Sequence, residues 1–155
     1  MALLPLLLLA PLLVAVAWFD LRYLRIPNWL VVAALLLYVV TVPLIGFEEA
    51  GLRLLAAFIV LAVGTVSFAF RLFGGGDVKM LAALVLFVPS QSYVLFGYTF
   101  AVSILLGISL IMTMRRTPFV RDLNLASLKA IGAFPMGISI SAAGLALPFF
   151  LNALA

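Results

Sequence analysis

Residues Gly74–Val88 read GGGDVKMLAALVLFV. Asp77 opens the run, Lys79 follows, and no polar residue appears again before Pro89-Ser90-Gln91-Ser92. From Asp77 to Val88 is twelve residues, which makes about 18 Å of helix at ~1.5 Å per residue. A bilayer core is ~30 Å thick. The run is therefore very apolar and too short for an ordinary span. Either it spans only part of the bilayer, with Asp77 inside the membrane envelope in a water-filled notch, or the helix continues through Tyr93. The sequence leaves both open. A carboxylate beside hydrocarbon is costly, so function is its default reading.

The rest of the chain fits a membrane setting. It is 68% hydrophobic and 9% charged over 155 residues, more apolar surface than a soluble domain of that size can hide. Further apolar stretches run from about Ala2 to Phe19, Trp29 to Ile45, Leu52 to Phe70, Val94 to Met114 and Ala130 to Leu151. With the stretch from Val78 to at least Val88 they make six candidate spans. Backbone groups in lipid must be satisfied within the segment, so the expected fold is all-α. It is an integral membrane bundle of six transmembrane helices, a single domain over residues 1–155. Leu3 to Ala17 resembles a signal-peptide core, but no Lys or Arg precedes it, so retention of this helix is expected.

The charges orient the bundle. Arg22 and Arg25 follow the first span, Arg71 and Lys79 flank the link before the fourth, and Arg115, Arg116, Arg121 and Lys129 lie between the last two. The other side carries Glu48, Glu49 and Arg53. That bias predicts both termini outside the cytoplasm and Asp20 and Asp77 at the cytoplasmic face. The net charge of +4 is thus topological, and nucleic acid is not an expected partner.

There is no histidine and no cysteine. Serine–histidine and cysteine–histidine hydrolases, disulfides and thiolate metal sites are excluded. The polar chemistry falls on two clusters. One is Gly74-Gly75-Gly76-Asp77-Val78-Lys79; the other is Asp20-Leu21-Arg22-Tyr23-Leu24-Arg25-Ile26-Pro27-Asn28. Glycines before Asp77 would let a substrate backbone lie against the loop, although a glycine turn with a capping Asp reads the same way when taken alone. Pro27 forces Ile26 out of helical conformation and suits the start of the second span. Arg22 and Arg25 read as headgroup anchors.

Two carboxylates on separate helices at one face can meet across a bundle. Close together they share one proton: the ionised one acts as base on a water, and the neutral one polarises the carbonyl and protonates the leaving nitrogen. This chemistry needs no cofactor and no metal. Which Asp plays which part stays open, because a coupled pair titrates as a unit.

These two clusters resemble the type IV prepilin peptidases, intramembrane aspartyl proteases of the GxGD class. Gly74, Gly76 and Asp77 match GxGD, with Gly75 as the variable position, and Phe134-Pro135-Met136-Gly137 looks like the family's Pro-x-Gly stretch. The resemblance implies an aspartic endopeptidase that removes the short basic leader of a prepilin-like membrane substrate at the cytoplasmic face of the inner membrane. Asp20 and Asp77 would be catalytic, with Gly74, Gly75, Gly76, Lys79, Pro27, Asn28, Pro135 and Gly137 supporting or binding substrate. Larger members carry a cysteine-containing cytoplasmic domain, and many also methylate the new N-terminus. This cysteine-free chain is similar to the short Flp or tight-adherence forms, so methyltransferase activity is not expected. Gly132, Gly137, Ser141 and Gly144 in the last span read first as close-packing positions; the alternative that the resemblance implies is that Pro135-Met136-Gly137 loosens this span so that a substrate strand can pair there. The weighed alternatives are a proton-coupled transporter, a metal-dependent phosphotransferase and an inactive relative. Against the first two, no third acid continues a path inward and too few carboxylates gather for hard cations.

Overall fold

A computed structural model describes residues 3–116 and 134–153. Helix α1 spans Leu4–Tyr23, α2 Asn28–Ile45, α3 Phe47–Ala69, α4 Gly75–Val85, α5 Tyr93–Arg116 and α6 Met136–Ala153. No strand occurs among the described residues. Five of these helices are long and apolar enough to cross a membrane; the chain is a multi-pass membrane protein. The expected fourth span differs: α4 has eleven residues, about 16 Å of helix. After it come two tight turns, Phe87 N–H to the Leu84 carbonyl and Val88 N–H to that of Val85, and a short 3-10 turn at Ser90–Ser92. Of the two readings of Gly74–Val88, the one in which the helix runs on to Tyr93 is not what forms.

Three other boundaries move. Helix α1 continues past Phe19 to Tyr23, so Asp20 lies inside it. Helix α3 starts at Phe47 rather than Leu52, because Gly46 alone links it to α2. Gly46 has φ +86°, a conformation glycine adopts at no steric cost. The last helix begins at Met136 rather than Ala130. Arg121, Lys129 and the first part of that expected span lie outside the described residues.

Helix α4 is the hub. From Met80 to Val88 nearly every residue is buried, as expected of a helix that is apolar all round. Helix α3 packs along it; α6 packs on α1, α5 and α4. In α1 the buried positions are Leu6, Leu9, Leu13, Val16 and Asp20, a stripe at alternating three- and four-residue spacing. Asp20 is therefore the polar end of the inward-facing stripe.

The end that carries Asp20 is rimmed by exposed Trp18, Tyr23 and Trp29. The Arg22 guanidinium stands 5.5 Å from the Tyr23 ring and 6.0 Å from Trp18. An aromatic belt with a cation above it is the pattern of a membrane–water interface. At the other end Arg53 is 1% exposed. Its Nε donates to Glu49 Oε1 at 2.8 Å and its Nη1 to the Phe87 carbonyl at 3.3 Å. Glu49 also accepts from the Ser90 backbone N–H at 2.9 Å and the Ser90 hydroxyl at 2.7 Å. Arg53 thus closes the C-terminal end of α4.

Candidate active site

Asp77 is the third residue of α4, after the extended cap residue Gly74. The first helical bond runs from Val78 N–H to the Gly74 carbonyl at 3.1 Å. Asp77 folds back over this start, where the Gly74 amide faces its carboxylate. An acidic side chain at this position commonly reaches back to the cap amide. A Cβ on Gly74 would stand 2.6 Å from Asp77 Oδ2. The glycine is what leaves room for the carboxylate in this pose.

Asp20 is 3% exposed in the last turn of α1. Its partner comes from the other end of the chain: the Gly137 backbone N–H donates to Asp20 Oδ2. The adjoining amide of Ile138 points at the same carboxylate. Both amides belong to the first turn of α6, where N–H groups have no intrahelical acceptor and the helix dipole favours an anion. A Cβ on Gly137 would lie 2.8 Å from both Cβ and Oδ2 of Asp20. Pro135 precedes that first turn and is buried. The Pro135–Gly137 stretch therefore starts α6 on Asp20, with Gly137 as the close-packing position.

The two carboxylates face one space. A cavity of about 650 Å³ is lined by Asp20 and Asp77 together with Leu24, Phe68, Arg71, Gly74 and Phe134. Two of its lining residues carry left-handed backbone, Leu24 at φ 50° and Arg71 at φ 60°. For residues other than glycine this costs of order 1–2 kcal/mol each. Leu24 ends α1, its N–H bonded to the Asp20 carbonyl at 2.8 Å.

The other expected site residues lie elsewhere. Pro27, Asn28, Gly75, Gly76 and Lys79 line a second cleft of about 910 Å³ with Arg25 and Asp77, on which Asp20 does not border. Lys79 Nζ donates to Asn28 Oδ1 at 3.4 Å, linking the starts of α4 and α2. Leu24, Phe68, Arg71 and Phe134 were not singled out from sequence as site residues. Leu24 and Phe134 stand inside quoted motif stretches and Arg71 three places before Gly74, which was the available signal; Phe68 had none.

Among the described residues no group of three or more His, Cys, Asp and Glu is arranged as metal ligands. No curated protein and no solved structure matches the chain. A model of the type IV leader peptidase family matches residues 7–112, a stretch that includes both Asp20 and Asp77. The chain belongs to the type IV leader peptidase family.

Proposed function

We propose that the protein is a membrane-embedded aspartyl endopeptidase that removes the short basic leader of prepilin-like membrane proteins, with Asp20 and Asp77 as its catalytic pair. One observation carries the reading: two carboxylates from helices far apart in sequence line a single cavity. A substrate carbonyl placed between them would meet a base that activates water and an acid that protonates the departing nitrogen. The amides of Gly137 and Gly74 hold the two side chains in fixed poses, so little reorganisation is needed in the transition state.

The cut falls at the cytoplasmic face. Supporting this are the basic residues Arg22, Arg25 and Arg71 and the aromatic rim at the Asp20 end. A basic, aromatic-rimmed end is what the positive side of an inner membrane favours, and both termini would then lie on the opposite side. Lys79, Asn28 and Pro27 flank the cleft on the other side of the glycine loop, where the leader backbone would lie. The reaction is hydrolysis alone, without methyl transfer.

The test is cleavage of a leader-bearing substrate by the full chain in liposomes, with and without Asp20→Asn and Asp77→Asn. Loss of cleavage in both variants, with insertion intact, is expected. Persistent cleavage by either would refute the paired-carboxylate scheme. Chelation by EDTA should leave the rate unchanged; a loss would favour metal-assisted chemistry.

A further inference from the structure

Two buried side-chain polar atoms lack a hydrogen-bond partner among the described residues, the Tyr93 hydroxyl and the Ser141 hydroxyl. Ser141 is 1% exposed and lies within α6. An unpaired buried hydroxyl is costly, and native structures keep few of them.

The register of three helices shows what stands beside it. A Cβ on Gly137 would meet Asp20 Oδ2 at 2.8 Å. A Cβ on Gly144 would meet Leu13 Cδ1 at 2.7 Å and Leu84 Cδ1 at 3.0 Å. Gly137 to Gly144, Asp20 to Leu13 and Asp77 to Leu84 are each a step of seven residues, about two helical turns. Ser141 stands four residues after Gly137 and three before Gly144, so it shares their face of α6. It points into the seam of α6 with α1 and α4, about one turn below the carboxylates. Leu13 and Leu84 there, and Val16 and Met80 between them and the aspartates, are apolar and fully buried.

Two acceptors remain within reach of the hydroxyl. One is the carbonyl four residues earlier, which Thr65, Ser67 and Thr99 take in their own helices and Ser141 does not. The other is the Asp20 carboxylate. Helical side chains lean toward the N-terminus of their helix, so Ser141 leans toward Gly137, whose amide holds Asp20 Oδ2. Positions four apart on a helix have Cβ atoms about 5–6 Å apart. A turn of the carboxylate or one bridging water closes that gap.

Resting on the peptidase reading, we propose that Ser141 is a positioning residue for Asp20, its hydroxyl donating to the ionised Asp20 carboxylate from the bilayer side of the pair. The amides of Gly137 and Ile138 hold the same carboxylate at the start of α6. A donor to the charged form favours that form. The charged groups that bear on Asp20 are Asp77 from α4, Arg71 at the cavity wall and Arg22 on α1 itself; α2 and α6 carry no charged side chain.

The test titrates the Asp20 carboxyl band by infrared spectroscopy, in full-length Asp77→Asn chain in liposomes, as the difference from the chain that also carries Asp20→Asn. Adding Ser141→Ala should move the midpoint upward by about one pH unit, a tenfold change in proton affinity. Ser141→Cys keeps the volume, but its thiol is a weak donor, so it should follow alanine. With both aspartates present, Ser141→Ala should lower kcat/KM about tenfold on the acidic flank of the pH profile and leave the plateau within a few-fold. An unmoved midpoint would overturn the proposal. So would a cysteine variant that titrates as wild type while alanine does not, which would assign Ser141 to packing volume. Failure of both variants to insert would also overturn it, since a donor to one carboxylate is not needed for folding. A wild-type chain that cuts no leader-bearing substrate takes down the peptidase reading and leaves the contact to the titration, whereas cleavage with an unmoved midpoint removes only the role of Ser141.

Discussion

The Gly137 amide donates to Asp20 Oδ2 across 117 positions of chain. That bond joins the first turn of α6 to the last turn of α1 and fixes where the Asp20 carboxylate points. Gly137→Ala would drive a methyl group to 2.8 Å from Asp20 Cβ and Oδ2, so helix or side chain must move. A displacement near 1 Å at a reacting group can cost about 100-fold in rate. The expected outcome is a kcat loss of 10- to 100-fold with helix content and membrane insertion unchanged, measured by single-turnover cleavage and circular dichroism.

The glycines of the Gly74–Gly76 run should not be equivalent. At Gly74 a methyl group would stand 2.6 Å from Asp77 Oδ2, and at Gly76 it would stand 3.2 Å from the Ile26 carbonyl oxygen. At Gly75 it would meet the Phe68 ring at 3.4 Å, an ordinary contact. Gly74→Ala should therefore lower kcat at least about tenfold by turning the Asp77 side chain away. Gly75→Ala should keep most of the activity, and Gly76→Ala should fall between them. Equal losses at all three would show that loop flexibility, and not room for the carboxylate, is what the glycines supply.

A pair that shares one proton works only while one carboxyl is neutral and the other ionised. At low pH both are protonated and no base remains; at high pH both are ionised and the acid is lost. The kcat/KM profile should therefore be bell-shaped, with two apparent pKa values that belong to the pair. Asp20→Asn and Asp77→Asn should each lower the rate by at least about 1,000-fold across the whole pH range, because neither asparagine supplies a base or an exchangeable acid. A variant that loses only one limb of the bell would show that the two groups act independently.

The apolar helices among the described residues and the meeting of Asp20 with Asp77 at one end were legible because hydropathy and charge vary along the chain. Placement around each helix was not. In α1 the buried Leu6, Leu9, Leu13 and Val16 and the exposed Leu7, Leu8 and Val14 are chemically alike, since lipid and protein interior accept the same side chains. Only Asp20 marked the inward face. The start of α6 was misplaced because Ala130–Gly137 is as apolar as the helix that follows; Pro135 was the signal, read as lying within a span. The role of Arg53 was not legible for a related reason. Its neighbours in sequence place it near a helix end, but its partner Phe87, and Ser90, which donates to its other partner Glu49, come from elsewhere in the chain, which spacing does not reveal.

That Arg53 cluster gives the remaining prediction. The carbonyls at the end of a helix lack intrahelical donors, and α4 ends where apolar residues surround it. Arg53 supplies the Phe87 carbonyl, and Glu49 takes the Ser90 amide. Arg53→Met leaves that carbonyl unpaired and strips Glu49 of its cation, a loss of about 3 kcal/mol by analogy with broken buried pairs. Glu49→Gln keeps an acceptor for Arg53 and Ser90 and should cost about 1 kcal/mol, the scale of one hydrogen bond. Thermal unfolding in detergent micelles would rank them. Because the opposite end of α4 carries Asp77, Arg53→Met should also lower cleavage by more than about tenfold, while Glu49→Gln stays within a few-fold of wild type. The reverse order would mean that the ionic attraction, and not the closing of the helix end, holds α4 at its depth.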